Sequence, residues 1–259
     1  MNFWTERSIE LANQKNYLDE LFRVYPMNPE LSREIDEEKW GKVESCFNTR
    51  NDQELLNSLL QLELFPIKDS YVAYLRRDKN AIKRNPMTVA RLCGRIYELG
   101  LDEVRKRCEQ PKETNRQIGP MFRHWLQSGA CGIPLVSGKD FLSAAGNAIL
   151  DESDKGLQDW CKVNLGYQRK KGLDFVAKIK GKYIVGEAKF LTDFGGHQNA
   201  QLEDAFATLR ANMQKNVLQI ILADGVCYIP GKNKLYSKIV KEDAPIMSAL
   251  FLRDFLHSF

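Results

Sequence analysis

The chain has 259 residues, 43% of them apolar, and a formal charge of +4. That length suits one large domain or two small ones with a real core. No apolar run reaches the ~20 residues of a membrane helix, and the opening MNFWTERSIELANQKN lacks the charged-then-apolar order of a secretion signal, so a cytosolic protein is expected.

Six cysteines without a CxxC pair and only three histidines argue against structural zinc and for reduced thiols. The charge is unevenly spread. Lys and Arg minus Asp and Glu come to −6 over residues 1–64, +7 over 65–129 and +6 over 162–189. Two basic regions in a nearly neutral chain suggest a polyanionic partner.

The first half reads as helices: apolar residues recur at Leu18, Leu21 and Phe22, and at Leu55, Leu56, Leu59, Leu60 and Leu62, with spacing near 3.6. Pro66 closes one helix, and Asp69 or Ser70 can cap the next, SYVAYLRRD, before Asn85-Pro86 breaks the chain. TVARLCGRIYELGLDEVRKRC then puts Val89, Leu92, Cys93, Ile96 and Leu99 on one face and turns at Gly100 into a short basic helix. This helix-turn-helix pattern serves either bundle packing or entry into a DNA groove. In KETNRQIGPMFRHWLQSG, Pro120 can open a helix with Met121, Phe122, Trp125 and Leu126 on its apolar side and Gly129 at its end. Its polar residues Arg116, Arg123 and His124 are candidates for phosphate contact.

After Gly132-Ile133-Pro134 the character changes to β-branched and aromatic runs around tight glycine turns, so the boundary is expected near 130. Residues 1–130 are expected to form a helical region available for DNA recognition or dimerisation, and 131–259 an α/β catalytic core. A helix is expected at 154–164, strands at 173–179, 182–190 and 217–223, and a helix from about 199 to 213.

The chemistry concentrates in KKGLDFVAKIKGKYIVGEAKFLTDFGGHQNAQLEDAF, where two strands joined through Lys180-Gly181-Lys182 form a hairpin. Alternation puts Tyr183, Val185, Glu187 and Lys189 on one side of the second strand. Pairing through the short turn brings Asp174 level with Glu187. Two carboxylates and one amine then converge, a set matching phosphodiester hydrolysis: hard oxygen ligands suit Mg²⁺, and a lysine beside it orients or deprotonates water, or stabilises charge. The following turn, FGGHQNAQ, offers His197, Gln198, Asn199 and Gln201 for contact with bases or phosphates, or else Asn199 as a helix cap.

Asp174 followed by Glu187-Ala188-Lys189 on the next strand resembles the PD-(D/E)xK nuclease superfamily, and within it the type II restriction endonucleases. KETNRQIGPMFRHWL, KGLDFVAKIKGKYIVGEAKF and DFGGHQNAQ are similar to segments of such enzymes, so the likeness spans roughly residues 65–215. Leu173 stands where the nominal proline of the superfamily falls, a position that varies widely. The resemblance implies a mixed-sheet α/β (α+β) nuclease core that cuts both strands of DNA at a short specific sequence. It further implies Mg²⁺, a homodimer, and a methyltransferase protecting the host's own sites. By position, it implies Asp174 and Glu187 as Mg²⁺ ligands, the Ala188 carbonyl as a further ligand and Lys189 as the catalytic lysine. Many such nucleases add an acidic residue from the helix before the first strand, and here Glu152, Asp154 and Asp159 stay open, with Asp154 also suited to cap that helix. Two alternatives stand beside this reading: a repair or recombination nuclease of the same superfamily, and a non-catalytic DNA-binding regulator using residues 88–108.

Overall fold

The computed structural model describes residues 1–26, 32–111, 114–214 and 216–259, with the side chains of 114–116 outside the described residues. The chain forms two compact units, one of residues 1–27 with 114–259 and one of residues 28–113. Among the described residues, no helix is long and apolar enough to cross a membrane.

The first unit begins with α1 (Phe3–Ala12) and α2 (Tyr17–Leu21). The chain then builds the second unit from α3 (Glu37–Asn48), α4 (Asp52–Leu60), α5 (Ser70–Arg77), α6 (Ala81–Arg84), α7 (Pro86–Leu99) and α8 (Leu101–Cys108). Its core takes Leu55, Leu56, Leu59, Leu92 and Ile96, from the helical stripes read from the sequence, together with Trp40. The Asp69 carboxylate accepts the Tyr71 N–H at 2.8 Å and so starts α5. Gly100, at φ +76°, joins α7 directly to α8.

The chain re-enters the first unit through α9 (Thr114–Gln127). Pro120 lies inside this helix, not at its start. An interior proline costs about 3 kcal/mol, which burial of Ile118, Phe122 and Leu126 at four-residue spacing offsets. Then come β1 (Leu135–Val136), β2 (Ala148–Leu150), α10 (Asp154–Asn164), β3 (Phe175–Ile179), β4 (Lys182–Leu191), α11 (Gly196–Leu209), β5 (Val217–Gly225), α12 (Lys234–Lys241), β6 (Ile246–Met247) and α13 (Leu252–His257). The six strands form one sheet in sequence order. β2, β3 and β4 are antiparallel, whereas β5 and β6 run parallel to β4. Helices α11 and α12 therefore serve as the crossovers that parallel neighbours require. The strands β1, β2 and β6, two or three residues each, were not anticipated from the sequence, being too short to show alternation.

Alternation along β4 sorts its side chains as expected. Val185 joins a cluster with Phe141, Leu157 and Cys161, while Ile184 and Ala188 join a second one with Leu202, Phe206 and Ile221. Tyr17, Leu21, Tyr25, Ile118 and Phe122 belong to that second core. The compact units thus divide near residues 27 and 113, where the sequence suggested 130, because α1, α2 and α9 bury their apolar faces against the sheet.

The amino-terminal segment is also tied by polar bonds. The Thr5 hydroxyl donates to the Ile246 carbonyl at 2.9 Å. Tyr17 and Tyr25 donate to the buried Asp224 carboxylate at 3.2 and 3.0 Å, as do Ser248 Oγ at 2.5 Å and the Ala249 N–H at 3.1 Å. Burial lifts the Asp224 carboxyl to about 6, even against these four donors. All six thiols are free, five of them buried.

Candidate active site

The site rests on the β3–β4 hairpin. Its loop is the two residues Lys180 and Gly181, both at positive φ (+46° and +81°), the tight turn that matches strand twist. Phe175 pairs with Gly186, so Asp174, one residue before β3, stands opposite Glu187. The Asp174 N–H donates to the Gly186 carbonyl at 3.2 Å, and its Oδ2 accepts the Ala188 N–H at 2.8 Å. Space behind this pair is tight: a Cβ on Gly186 would stand 3.0 Å from Ile220 Cγ1, so that side chain would have to shift.

Lys189 Nζ lies 2.9 Å from Glu187 Oε2, 3.6 Å from Asp174 Oδ2 and 3.3 Å from the Ala188 carbonyl oxygen. Burial lifts the Asp174 carboxyl to about 6; Lys189 and the Ala188 N–H pull it down, while Glu187 and Asp154 push it up. Burial works against the Lys189 ammonium, but Asp174 and Glu187 outweigh it and hold its pKa above the ordinary lysine value.

Sequence reasoning missed a second layer of residues. Lys171 Nζ is 3.0 Å from Glu187 Oε2 and is also bonded to Asp204. Thr208 donates its hydroxyl to Glu187 Oε1 at 3.0 Å. Arg169 pairs with Asp204 at 2.7 Å and bonds to Thr208 Oγ1. Lys171 and Arg169 hold the Asp204 carboxyl below the ordinary carboxylate range despite the opposing effect of burial. Both oxygens of Glu187, which is 1% exposed, are thus engaged by this chain. The excess of lysine and arginine over 162–189 was the available signal for Arg169 and Lys171. Thr208 and Asp204 had none, since α11 must fold back along β4 before they approach Glu187.

Lys171, Asp174, Lys189, Gln201 and Asp204 line a cleft of about 290 Å³. A family model described as "Tsp45I type II restriction enzyme" matches residues 2–259. The chain belongs to that family. It is a type II restriction endonuclease, a site-specific deoxyribonuclease that binds DNA, with a mixed α/β nuclease core. No curated protein and no solved structure matches the restriction enzyme.

Among the described residues, no group of three or more His, Cys, Asp or Glu is arranged to hold a metal ion. Two carboxylates and a backbone carbonyl do converge on one amine, and three hard oxygens are a donor set that suits a small divalent cation. The residues fit Mg²⁺ in chemistry, with the Lys189 ammonium among the same oxygens.

For the open third acidic residue, Glu152 accepts the Gly138 N–H at 3.3 Å, and Asp159 pairs with Lys155 at 2.7 Å. Asp154 is the one of the three that acts electrostatically on Asp174. The helix cap expected of Asp154 falls to Ser153, whose Oγ accepts the Gly156 N–H at 3.1 Å.

The remaining sequence candidates scatter. α11 of the restriction enzyme starts at Gly196, three residues earlier than expected, so His197, Gln198, Asn199 and Gln201 lie on helix, not in a turn. Gln198 is 2% exposed and donates to Thr192 Oγ1 at 3.0 Å. Asn199 donates to the Phe194 and Gly195 carbonyls at 3.1 and 3.0 Å, while His197 Nε2 lies 3.0 Å from Gln201 Nε2. Arg123 pairs with Asp154. The Arg116 side chain lies outside the described residues.

Proposed function

We propose that this restriction endonuclease cuts both strands of duplex DNA at a short sequence in a Mg²⁺-dependent hydrolysis, with Asp174, Glu187 and Lys189 as its catalytic centre. The observation that carries the reading is the convergence of the Asp174 and Glu187 carboxylates on Lys189 Nζ, within 3.6 Å, at a cleft. Asp174, Glu187 and the Ala188 carbonyl would hold the ion, which polarises the phosphate and offsets the charge that develops during cleavage.

The protein's own groups divide the remaining work. Lys189, its pKa raised by two carboxylates, is a charged donor at neutral pH, so it orients the attacking water and stabilises developing negative charge rather than accepting a proton. Thr208 fixes the rotamer of Glu187, and Asp204 with Arg169 steadies Lys171 at its flank. Gln201, which lines the cleft, and exposed His197 meet the DNA, with Arg123 from α9. Buried Gln198, with Asn199, holds the start of α11 in place behind them.

A two-fold homodimer presents one such site to each strand of a palindromic or nearly palindromic target. A partner methyltransferase protects host DNA, and both act in the cytoplasm, where incoming DNA arrives. The test is digestion of methylation-free phage DNA with and without Mg²⁺, comparing the wild type with Lys189→Ala and sequencing the fragment ends. Discrete Mg²⁺-dependent fragments, lost in the variant, support the reading. Cleavage confined to junctions or ends would favour a repair role, and undiminished cleavage by Lys189→Ala would remove the assigned centre.

A further inference from the structure

The basic surface of the helical unit is not used by the site described above. Between residues 71 and 95 the sequence has seven Lys and Arg and one acidic residue, Asp78. Four of the seven are engaged: Arg76 donates to the Leu62 and Glu63 carbonyls, and Arg84, Arg91 and Arg95 pair with Asp78, Asp69 and Glu98. Arg77, Lys79 and Lys83, where α5 passes into α6, are exposed and form no ion pair among the described residues. Three unneutralised cations within seven residues repel one another, and this repulsion favours an anionic neighbour.

Large side chains share this surface. Tyr71 and Tyr74 are 59% and 61% exposed, and Met87, at the start of α7, is 83% exposed. The Arg91 guanidinium lies over the Tyr71 ring at 5.5 Å, and Arg84 interacts with Tyr74. These contacts tie α7 to α5 through Arg91 and Tyr71, and the 78–84 corner to α5 through Arg84 and Tyr74. Tyrosine hydroxyls donating beside lysines and arginines are what a phosphate backbone meets in protein–DNA contacts.

We infer that this face of α5–α7 is a docking surface for the sugar–phosphate backbone of duplex DNA, with Arg77, Lys79 and Lys83 supplying phosphate contacts and Tyr71 and Tyr74 packing beside them. The inference rests on the DNA-cutting reading and adds where the duplex is held. A second copy of the chain is a poorer occupant, because a two-fold contact would set like charges face to face.

The test compares the wild type with the triple variant Arg77→Gln, Lys79→Gln, Lys83→Gln, and with a control of equal charge loss, Lys15→Gln, Lys139→Gln, Lys232→Gln. Each is titrated against a fluorescein-labelled duplex of about 30 base pairs, without divalent cation, by anisotropy over a range of salt. Three lost phosphate contacts lower the slope of log Kd against log salt by about 2.7 and weaken binding at least ~10-fold at low salt. The control changes little, and unchanged melting temperatures show that both variants fold. Equal weakening by both variants, or none by the first, overturns the inference while leaving cleavage by the wild type intact. A wild type that neither binds nor cuts any duplex would overturn the functional reading as well. A monomer–dimer shift in the first variant without loss of DNA binding makes the face a subunit contact and also overturns the inference.

Discussion

Lys189→Met tests whether the amine favours the ionised form of Asp174. Two unit charges 3.6 Å apart, the Lys189–Asp174 separation, attract by roughly 5 kcal/mol at an effective dielectric of about 20. Water in the cleft and the remaining Lys171, 3.0 Å from Glu187, reduce the loss to about 2 kcal/mol, or about 1.5 pKa units on Asp174. In the wild type this carboxyl is already raised to about 6, and in the variant it rises further. A carboxyl raised in the folded state leaves stability intact below its unfolded value near ~4 and lowers it as pH climbs through the folded value. The variant therefore loses little through Asp174 at pH 5 and about 2 kcal/mol more than the wild type at pH 8, a further drop in Tm of about 4–8 °C. Scanning calorimetry in chelator at both pH values reads this directly. An equal Tm difference at pH 5 and pH 8 would refute the electrostatic argument and reduce Lys189 to a packing role in the metal-free protein.

Three further outcomes are expected. Thr208→Val takes the hydroxyl donor from Glu187 Oε1, so kcat falls about 10-fold, the loss of one buried hydrogen bond of about 1.4 kcal/mol, with KM for DNA nearly unchanged; an unaltered kcat in steady-state cleavage would free Glu187 from dependence on α11. Asp224→Asn removes a buried carboxyl titrating near 6, whose stabilisation in the wild type is full below about 4 and falls as pH rises through 6. The destabilisation by Asp224→Asn, read in urea melts, therefore shrinks by about 1.4 kcal/mol from pH 5 to pH 8, and a pH-independent value would contradict it. Gly225→Ala places a Cβ against the Leu191 carbonyl at φ +93° and costs about 3 kcal/mol or more; an unchanged urea midpoint would contradict the close approach of β4 and β5 at that end.

The hairpin was legible in the sequence because its determinants are local. A two-residue turn fixes register, and register with alternation fixes which residues face each other, so Asp174, Glu187 and Lys189 meet as the spacing implies. Glycine and proline were weaker guides. Gly195-Gly196 read as a loop, yet α11 begins there, because burial of Gln198 and Leu202 extends the helix toward β4. Pro120 read as a start, yet a buried stripe runs through it. Lys171, Asp204 and Thr208 carry no pattern, since their relation to Glu187 exists only after the crossover between β4 and β5 has closed.

The ties of the amino-terminal segment to the far end of the sequence bear on how the enzyme is made. α1 and α2 leave the ribosome well before their partners: Thr5 bonds to a residue 241 positions later and Tyr17 to one 207 positions later. The run from 28 to 113 closes its core within itself and is able to fold while synthesis continues. β4, which carries Glu187 and Lys189, gains its parallel neighbour only when residues 217–225 emerge, and β6 follows later still. A chain cut short by a stalled ribosome or a nick before residue 217 keeps a helical unit but lacks the strand that braces the cutting centre. Emergence of residues 217–247 thus stands between synthesis of the helical unit and assembly of the cutting centre.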